Sequence, residues 1–363
     1  MNRKYRITVI GAGDRGSVYM NMLKDHYEGQ VEMICVCDIL PDRQQKAFDT
    51  FGFAHQEPDW QKAINDYKSD IVVIATPAFF HCDMAAFALE HGRDVLTEKP
   101  FDLDLKKCYD LRELQKKTGK NLAIGMQYRN VPTHRAMKHM IERGYLGENR
   151  IISYNDFRMV RPKIAMHDAV NGNGGPMTDM ACHLFDLMRW FYGCDPKTVS
   201  CVWRANANDA PTLTSIDKKA PDTCVMTITY ESGDVGVITM NWGLPPQVGG
   251  VLQIMAIGKT GYMGIDWAKD GVVEVQIEGG EKVKVGVEPE DTAELVCAEK
   301  TVFDCLIAQM EGTGKIQNSF EEGIVSLATS MAAIKSGALG RPVTLAEIYA
   351  EKPTISACMD AKE

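Results

Sequence analysis

The chain has 363 residues, 45% hydrophobic and 25% charged, with a formal net charge of −9; this is enough for two domains and speaks against a nucleic-acid or anionic-membrane surface. The charged start, Met1 to Arg6, leads into no signal-type apolar stretch, and the longest apolar run, residues 71–75, is too short to span a bilayer. Eleven cysteines without a Cys-x-x-Cys pair predict a reduced, cytoplasmic protein with buried thiols rather than a disulfide scaffold or zinc site.

In chain order, residues 5–10 predict a strand that ends directly in Gly11-Ala12-Gly13-Asp14-Arg15-Gly16, and a helical pattern follows. G-x-G-x-x-G between strand and helix is the setting for dinucleotide binding. Gly11 permits the tight turn, Gly13 lets backbone approach a pyrophosphate, and Gly16 allows close strand–helix packing. The helix N-terminus adds free N–H groups and a positive dipole end. A second strand, 31–37, ends in Asp38, about twenty residues beyond Gly16, where a carboxylate accepts the ribose hydroxyls of an adenosine. Asp38 repels a 2′-phosphate and so favours NAD over NADP; Arg43 nearby softens that preference.

Helices are predicted over 42–51 and 60–67. Residues 70–75 form a fully apolar strand of the kind buried on both faces, and it ends in Thr76-Pro77. His81 opens a helix, and strand 94–97 ends in Glu98-Lys99-Pro100. Helix 106–118 and a fifth strand, 122–125, complete the alternation, with the strand ends on one edge of the sheet.

A helix over 131–144 precedes a change of pattern. Residues 151–160, 198–206, 222–230, 235–242, 251–258, 272–277 and 282–287 read as strands of an antiparallel sheet. Helices follow over 291–311 and 320–336, the second ended by Gly337; then come a return strand at 340–343 and a loosely tied last dozen residues. The fold class is therefore α/β joined to α+β. An N-terminal Rossmann domain, 1–126, has a doubly wound parallel sheet. A C-terminal domain, 127–363, has a large open, mostly antiparallel sheet, and its residues from about 340 onward pack back on the first domain.

Residues 172–193 interrupt the second pattern after its first strand. They read as one helix, opened by Pro176 and closed by Gly193. Asp179 and His183, four apart, share one side of it, and a carboxylate beside an imidazole is a proton-transfer pair. The competing reading is a hydrogen-bonded structural histidine. Asp186 is expected to pair structurally. Tyr128 and Arg129 follow the fifth strand, and Arg158, Arg161, His167 and Asp168 precede the helix; each is a candidate for gripping substrate and is equally readable as a solvated loop residue. His167-Asp168 with Asp179 and His183 match no standard zinc spacing, so no metal is expected.

With these pieces placed, the chain resembles the Gfo/Idh/MocA oxidoreductases, the family of glucose–fructose oxidoreductase and the inositol dehydrogenases. The resemblance rests on Gly11 to Gly16, Ala75-Thr76-Pro77 with His81, Glu98-Lys99-Pro100, Tyr128-Arg129 with Pro132, Gly174-Gly175 with Asp179 and His183, and Gly340-Arg341-Pro342-Val343. It implies that Gly11, Gly13, Asp14, Arg15, Gly16, Asp38, Ala75, Thr76, Pro77, His81, Glu98, Lys99 and Gln127 bind the cofactor. It also implies that Lys99, Asp179 and His183 are catalytic. Lys99 would hold the substrate oxygen, His183 act as base, and Asp179 orient the substrate or raise the imidazole's basicity. Tyr128, Arg129, Arg158, His167 and Asp168 would join Asp179 around the substrate.

The activity implied is hydride transfer between NAD and a secondary hydroxyl of a sugar, glycoside or cyclitol, in a homo-oligomer (dimer, tetramer or hexamer). The entrance Asn171-Gly172-Asn173-Gly174-Gly175-Pro176 departs from the plain inositol dehydrogenases. Taken as open, it suits a larger substrate such as a glycoside oxidised at sugar C3. Two alternatives remain: a glycoside hydrolase or lyase that retains NAD and oxidises transiently, and a non-enzymatic dinucleotide-binding regulator.

Overall fold

The structure is a computed structural model that describes residues 4–266, 273–285 and 298–362. Its described residues fall into two compact units: 4–102 with 106–127 and 298–324, and 103–105 with 128–285 and 325–362.

The first unit is built on a six-stranded sheet of β1 (Tyr5–Ile10), β2 (Val31–Cys37), β3 (His55–Gln56), β4 (Ile71–Ile74), β5 (Asp94–Thr97) and β6 (Leu122–Ile124). The spatial order is β3-β2-β1-β4-β5-β6, and all neighbours are parallel. β4 reads Ile-Val-Val-Ile and every one of its residues is buried, as a central strand covered on both faces requires. The two-residue edge strand β3 escaped the sequence reading because His55 and Gln56 are polar and exposed. The order reverses between β1 and β4, the crevice where doubly wound folds bind ligands. The helix Ala298–Met310 belongs to this unit rather than to the second: Val302, Phe303 and Leu306 pack into one core with Tyr19 and Leu23. Residues 291–297 of the expected long helix lie outside the described residues.

The second unit carries a nine-stranded sheet. Its strands are β7 (Ile151–Met159), β8 (Pro196–Arg204), β9 (Thr223–Tyr230), β10 (Val235–Leu244), β11 (Val251–Ile257), β12 (Gly261–Asp266), β13 (Val273–Ile277), β14 (Val283–Val285) and β15 (Val343–Thr344). The order is β14-β13-β12-β11-β7-β10-β9-β8-β15. The sheet is mixed, because β7 and β10 at its centre run parallel. β12 was not predicted; its Gly261 and Gly264 dilute the strand signal. Along β7, Ile152, Tyr154 and Asp156 face inward and are buried, while Ile151 and Met159 on the other face are exposed.

Two expectations for the C-terminal part are corrected. The helix Phe320–Leu339 runs through Gly337 and ends at Gly340, whose φ is +69°. Gly337 is a close-approach glycine: a Cβ there would stand 2.0 Å from the Trp203 ring. The last residues are well held: the Ile355 N–H donates to Leu103 O and the Leu105 N–H to Pro353 O, so they pack on 103–105, a stretch of the expected first domain that groups with the second unit. β15 pairs with β8, Thr344 and Glu347 form a reciprocal capping box, and Thr354 caps the helix Ile355–Met359, where Ile355 is fully buried.

Candidate active site

In the first unit the glycine turn sits between β1 and helix α1 (Asp14–His26). Its three glycines differ in what they do. Gly11 has φ +93°, and a Cβ would lie 2.6 Å from Ala75 O; at Gly16 a Cβ would lie 1.8 Å from Gly11 O. Both are demanded by the fold. Gly13 has an ordinary φ of −74°, and the nearest atom to its missing Cβ is Arg43 Nη1 at 3.7 Å. Packing therefore does not require glycine at 13, and the missing side chain leaves the backbone of the turn open to close approach. Asp38, at the end of β2, accepts the N–H of Ala12 (2.7 Å) through one oxygen and that of Leu40 (2.9 Å) through the other. The carboxylate is thus fixed beside the turn with lone pairs to spare. Asp14 lies exposed in the first turn of α1.

Several residues expected to touch the cofactor are also tied into the protein here. Glu98 is 2% exposed and takes Arg15 Nη2 (2.8 Å), the Tyr19 hydroxyl (2.6 Å) and the N–H of Lys99 (3.2 Å). Burial works to raise its pKa, but Arg15, Lys99 and Tyr19 outweigh it and hold the group below the usual carboxylate range. Arg15 is shared with Glu299 (2.9 Å), so its charge is matched within the protein. His81 is clamped between two carbonyls, Nδ1 to Pro100 O and Nε2 to Thr76 O, both at 2.9 Å. Burial lowers its pKa, while the two carbonyls and Glu98 favour the protonated ring. The ring ties the Ala75-Thr76-Pro77 loop to the Glu98-Lys99-Pro100 loop, and both nitrogens are engaged there. Gln127 donates to Glu299 (3.2 Å), but its carbonyl oxygen is buried with no donor among the described residues.

These observations test whether a dinucleotide fits. A turn with one glycine that the fold does not need, a fixed carboxylate at the adjacent strand end, and an orphaned buried acceptor at Gln127 all suit one. The residues that would hold it are Gly13, Asp38 and Gln127, with Lys99 at the end of β5.

In the second unit, the predicted single helix is two: α7 (Pro176–Asp179) and α8 (Ala181–Tyr192). The chain tightens at Met180, where the His183 N–H bonds back to Met180 O (3.1 Å), three residues away. The four-residue spacing of Asp179 and His183 therefore does not run along one continuous helix. Both are buried, at 2% and 3% exposed. Asp179 accepts from Asn173 Nδ2 (2.8 Å). His183 stacks flat on Tyr128, with ring centroids 4.1 Å apart and planes at 6°. The Tyr128 hydroxyl reaches Met180 Sδ (3.8 Å), and its carbonyl accepts from His134 Nδ1 (2.8 Å). Burial pushes the His134 pKa down to about 4 against that hydrogen bond.

The loop ahead of α7 is tightly packed on itself. A Cβ at Gly172 would lie 2.0 Å from Ala165 O. Asp168 Oδ1 accepts the N–H groups of Val170 and Asn171 at 2.8 and 2.9 Å, so Asp168 shapes the loop. His167 is 1% exposed, and its Nε2 accepts the Arg161 N–H (3.1 Å); burial lowers its pKa and keeps the ring neutral. Arg129 forms a two-pronged pair with buried Asp186, at 2.8 and 2.5 Å. Asp186 pairs structurally, as the sequence suggested, and Arg129 is its partner rather than a bare substrate-facing cation. Arg158 binds Asp156 (2.6 Å), which also accepts from Trp242 Nε1 (3.3 Å). Burial raises the Asp156 pKa against the pull of Arg158.

Asp156, Trp242, Tyr19 and Glu299 were missed, and Asn173 was read as part of the entrance rather than as the partner of Asp179. Asp156 had a signal, since it is a carboxylate at an inward position of an alternating strand. Glu299 had none, because its partner Arg15 is far away in sequence.

Comparison with known proteins gives the class first: residues 5–126 match the oxidoreductase family with an NAD-binding Rossmann fold. Residues 134–263 match the GFO/IDH/MocA C-terminal domain. The chain belongs to the Gfo/Idh/MocA oxidoreductase family. It is 27% identical to an inositol 2-dehydrogenase/D-chiro-inositol 3-dehydrogenase of Lactiplantibacillus plantarum over 59% of this chain and 62% of that one. It is 23% identical to an inositol 2-dehydrogenase of Rhizobium meliloti over 94% and 99%. The chain thus spans about three fifths of the length of the first of these relatives. An oxidoreductase domain protein from Kribbella flavida shares the fold, with a TM-score of 0.82, 18% identity, and coverage of 95% of this chain and 100% of that one.

Proposed function

We propose that the protein is an NAD-dependent dehydrogenase acting on a secondary hydroxyl of a sugar, glycoside or cyclitol. The observation that carries the reading is His183: a buried imidazole held flat against Tyr128, four residues after a buried carboxylate, in a chain of a nicotinamide-dependent family. When bound, the nicotinamide accepts the hydride from the carbinol carbon. His183 takes the hydroxyl proton, for which a neutral imidazole suffices near neutral pH. The Lys99 ammonium stabilises the negative charge that develops on the substrate oxygen. Asp179, with one oxygen fixed by Asn173, orients the substrate or supports the charged imidazole. The atoms balance: alcohol and NAD⁺ give ketone, NADH and one proton. Asp38 beside the turn disfavours a 2′-phosphate, which supports NAD over NADP.

The similarity to inositol dehydrogenases supports an inositol or a similar polyol as the first substrate to try. The decisive assay is NADH formation across inositols, free sugars and glycosides. NADH formed with at least one of them supports the dehydrogenase. Glycoside cleavage without net NADH supports a hydrolase, and binding of NAD with no turnover of any substrate supports a regulator.

Assembly and compartment complete the reading. Val202, Val225, Met255 and Ile257 are 59%, 53%, 53% and 42% exposed, and the strand registers place them on one face of the large sheet. A second copy covering that face makes a homo-oligomer, which sedimentation of wild type and Val202→Asp tests. Buried cysteine thiols, Cys82 and Cys108 with sulfurs 3.8 Å apart among them, support a reducing cytoplasm.

A further inference from the structure

Two arginines converge on Trp242, and among the described residues a carboxylate hydrogen-bonds only one of them. Two guanidiniums lie over its ring, Arg158 at 5.3 Å and Arg161 at 5.8 Å. The buried Asp156 carboxylate attracts both, but its hydrogen bonds go to Arg158 Nε at 2.6 Å and the Trp242 N–H at 3.3 Å. Arg161 is anchored by its backbone, whose N–H donates to His167 Nε2 (3.1 Å). Its side-chain Nε is buried and has no acceptor among the described residues. A guanidinium is always charged, and an unmatched buried donor on it is costly. Such a group marks a place where an acceptor arrives from outside the chain.

The place is continuous with the candidate base. Arg158 Nη2 touches Met180 Sδ (3.7 Å), Met180 Sδ takes the Tyr128 hydroxyl (3.8 Å), and Tyr128 stacks on His183. Arg161 is tied through its N–H to His167, whose ring feels the charges of Asp222 and Asp179. We infer that Arg161 reads a carboxylate on the substrate, so that the preferred substrate class is a sugar acid rather than a neutral sugar or cyclitol. A hydroxyl is a weak match for a free guanidinium, whereas a carboxylate fits its fork with two charge-assisted bonds. The inference rests on the dehydrogenase reading and names the substrate class of that site.

The test compares matched pairs: the methyl glycosides of glucuronate and galacturonate against those of glucose and galactose, with NAD. The expected result is a kcat/KM for the acids about tenfold to a hundredfold above that for the neutral partners. Arg161→Gln collapses this acid-to-neutral ratio, chiefly through KM for the acid, and Arg161→Lys restores part of it. A purely structural role would lower both series alike and leave the ratio unchanged; that outcome, or a wild type that prefers the neutral partners, overturns the inference. If NAD binds but neither series is oxidised, the dehydrogenase reading falls for these substrates, and calorimetry with methyl glucuronide on the NAD-loaded protein still decides Arg161. Binding that Arg161→Gln removes upholds it. No binding, or equal binding by both proteins, overturns it.

Discussion

The glycine turn of the first unit and the segment 161–192 of the second solve different problems. Around the turn Arg15 is matched within the chain by Glu98 and Glu299, and Asp38 by two amides. What the turn leaves open is space, at Gly13. In the second unit what is left open is a donor, the buried Arg161 Nε, which has no acceptor among the described residues. A backbone cradle of this kind suits a ligand whose shape never varies. An unmatched side chain suits the partner that differs from one relative to the next.

The largest effect that would sharpen this contrast is expected at His183. Replacing it with Ala lowers kcat by about two to four orders of magnitude and leaves NAD affinity, measured by fluorescence titration, unchanged. Normal turnover by this variant breaks the assignment of the base. Next in size is the brace under the same helix. Asp186→Ala strands the Arg129 guanidinium, 11% exposed beside a carboxylate 1% exposed, and urea unfolding reads a loss of about 3–5 kcal/mol.

Acid sensitivity follows at His134. Its native ring stays neutral down to about pH 4, whereas the unfolded ring protonates at 6.5. Between those values the unfolded state holds the extra proton, so stability falls as pH falls, by about 1.4 kcal/mol per pH unit. Above pH 6.5 this contribution is fully present. Unfolding midpoints at a series of pH values give a shallower acid slope for His134→Gln; equal slopes contradict the assignment.

Smaller again, Gly13→Ala is expected to weaken NAD binding about tenfold or more while changing stability by no more than about 0.5 kcal/mol. Gly16→Ala destabilises the fold itself, so the pair separates a glycine kept for a ligand from one kept for packing. Smallest is the platform: Tyr128→Ala lowers kcat about twofold to tenfold by freeing the imidazole, and Tyr128→Phe, which keeps the stacked ring, restores it.

The first unit was largely legible because its cues are local. Gly11, Gly13 and Gly16 lie within one turn, and Asp38 ends the next strand. The second unit hid more, because its decisive contacts join distant residues. Arg129 meets Asp186 and Tyr128 meets His183 only once α8 is placed. The break at Met180 was invisible because Pro176 and Gly193 mark the ends of the segment and nothing marks its middle. Gly337 misled for a related reason, since close packing against Trp203 and helix termination both call for glycine. Parity was the unused cue: Asp156 sits in register with Ile152 and Tyr154, so a buried carboxylate could have been expected there.

The central claim is direct hydride transfer from a substrate carbon, and the mass of the reduced cofactor tests it. A substrate that is turned over is supplied with deuterium on its ring carbons, and the NADH is isolated. The account predicts one deuteron gained per NADH and a proportional fall in labelled product from His183→Ala. Unlabelled NADH, or consumed substrate with no NADH at all, contradicts it.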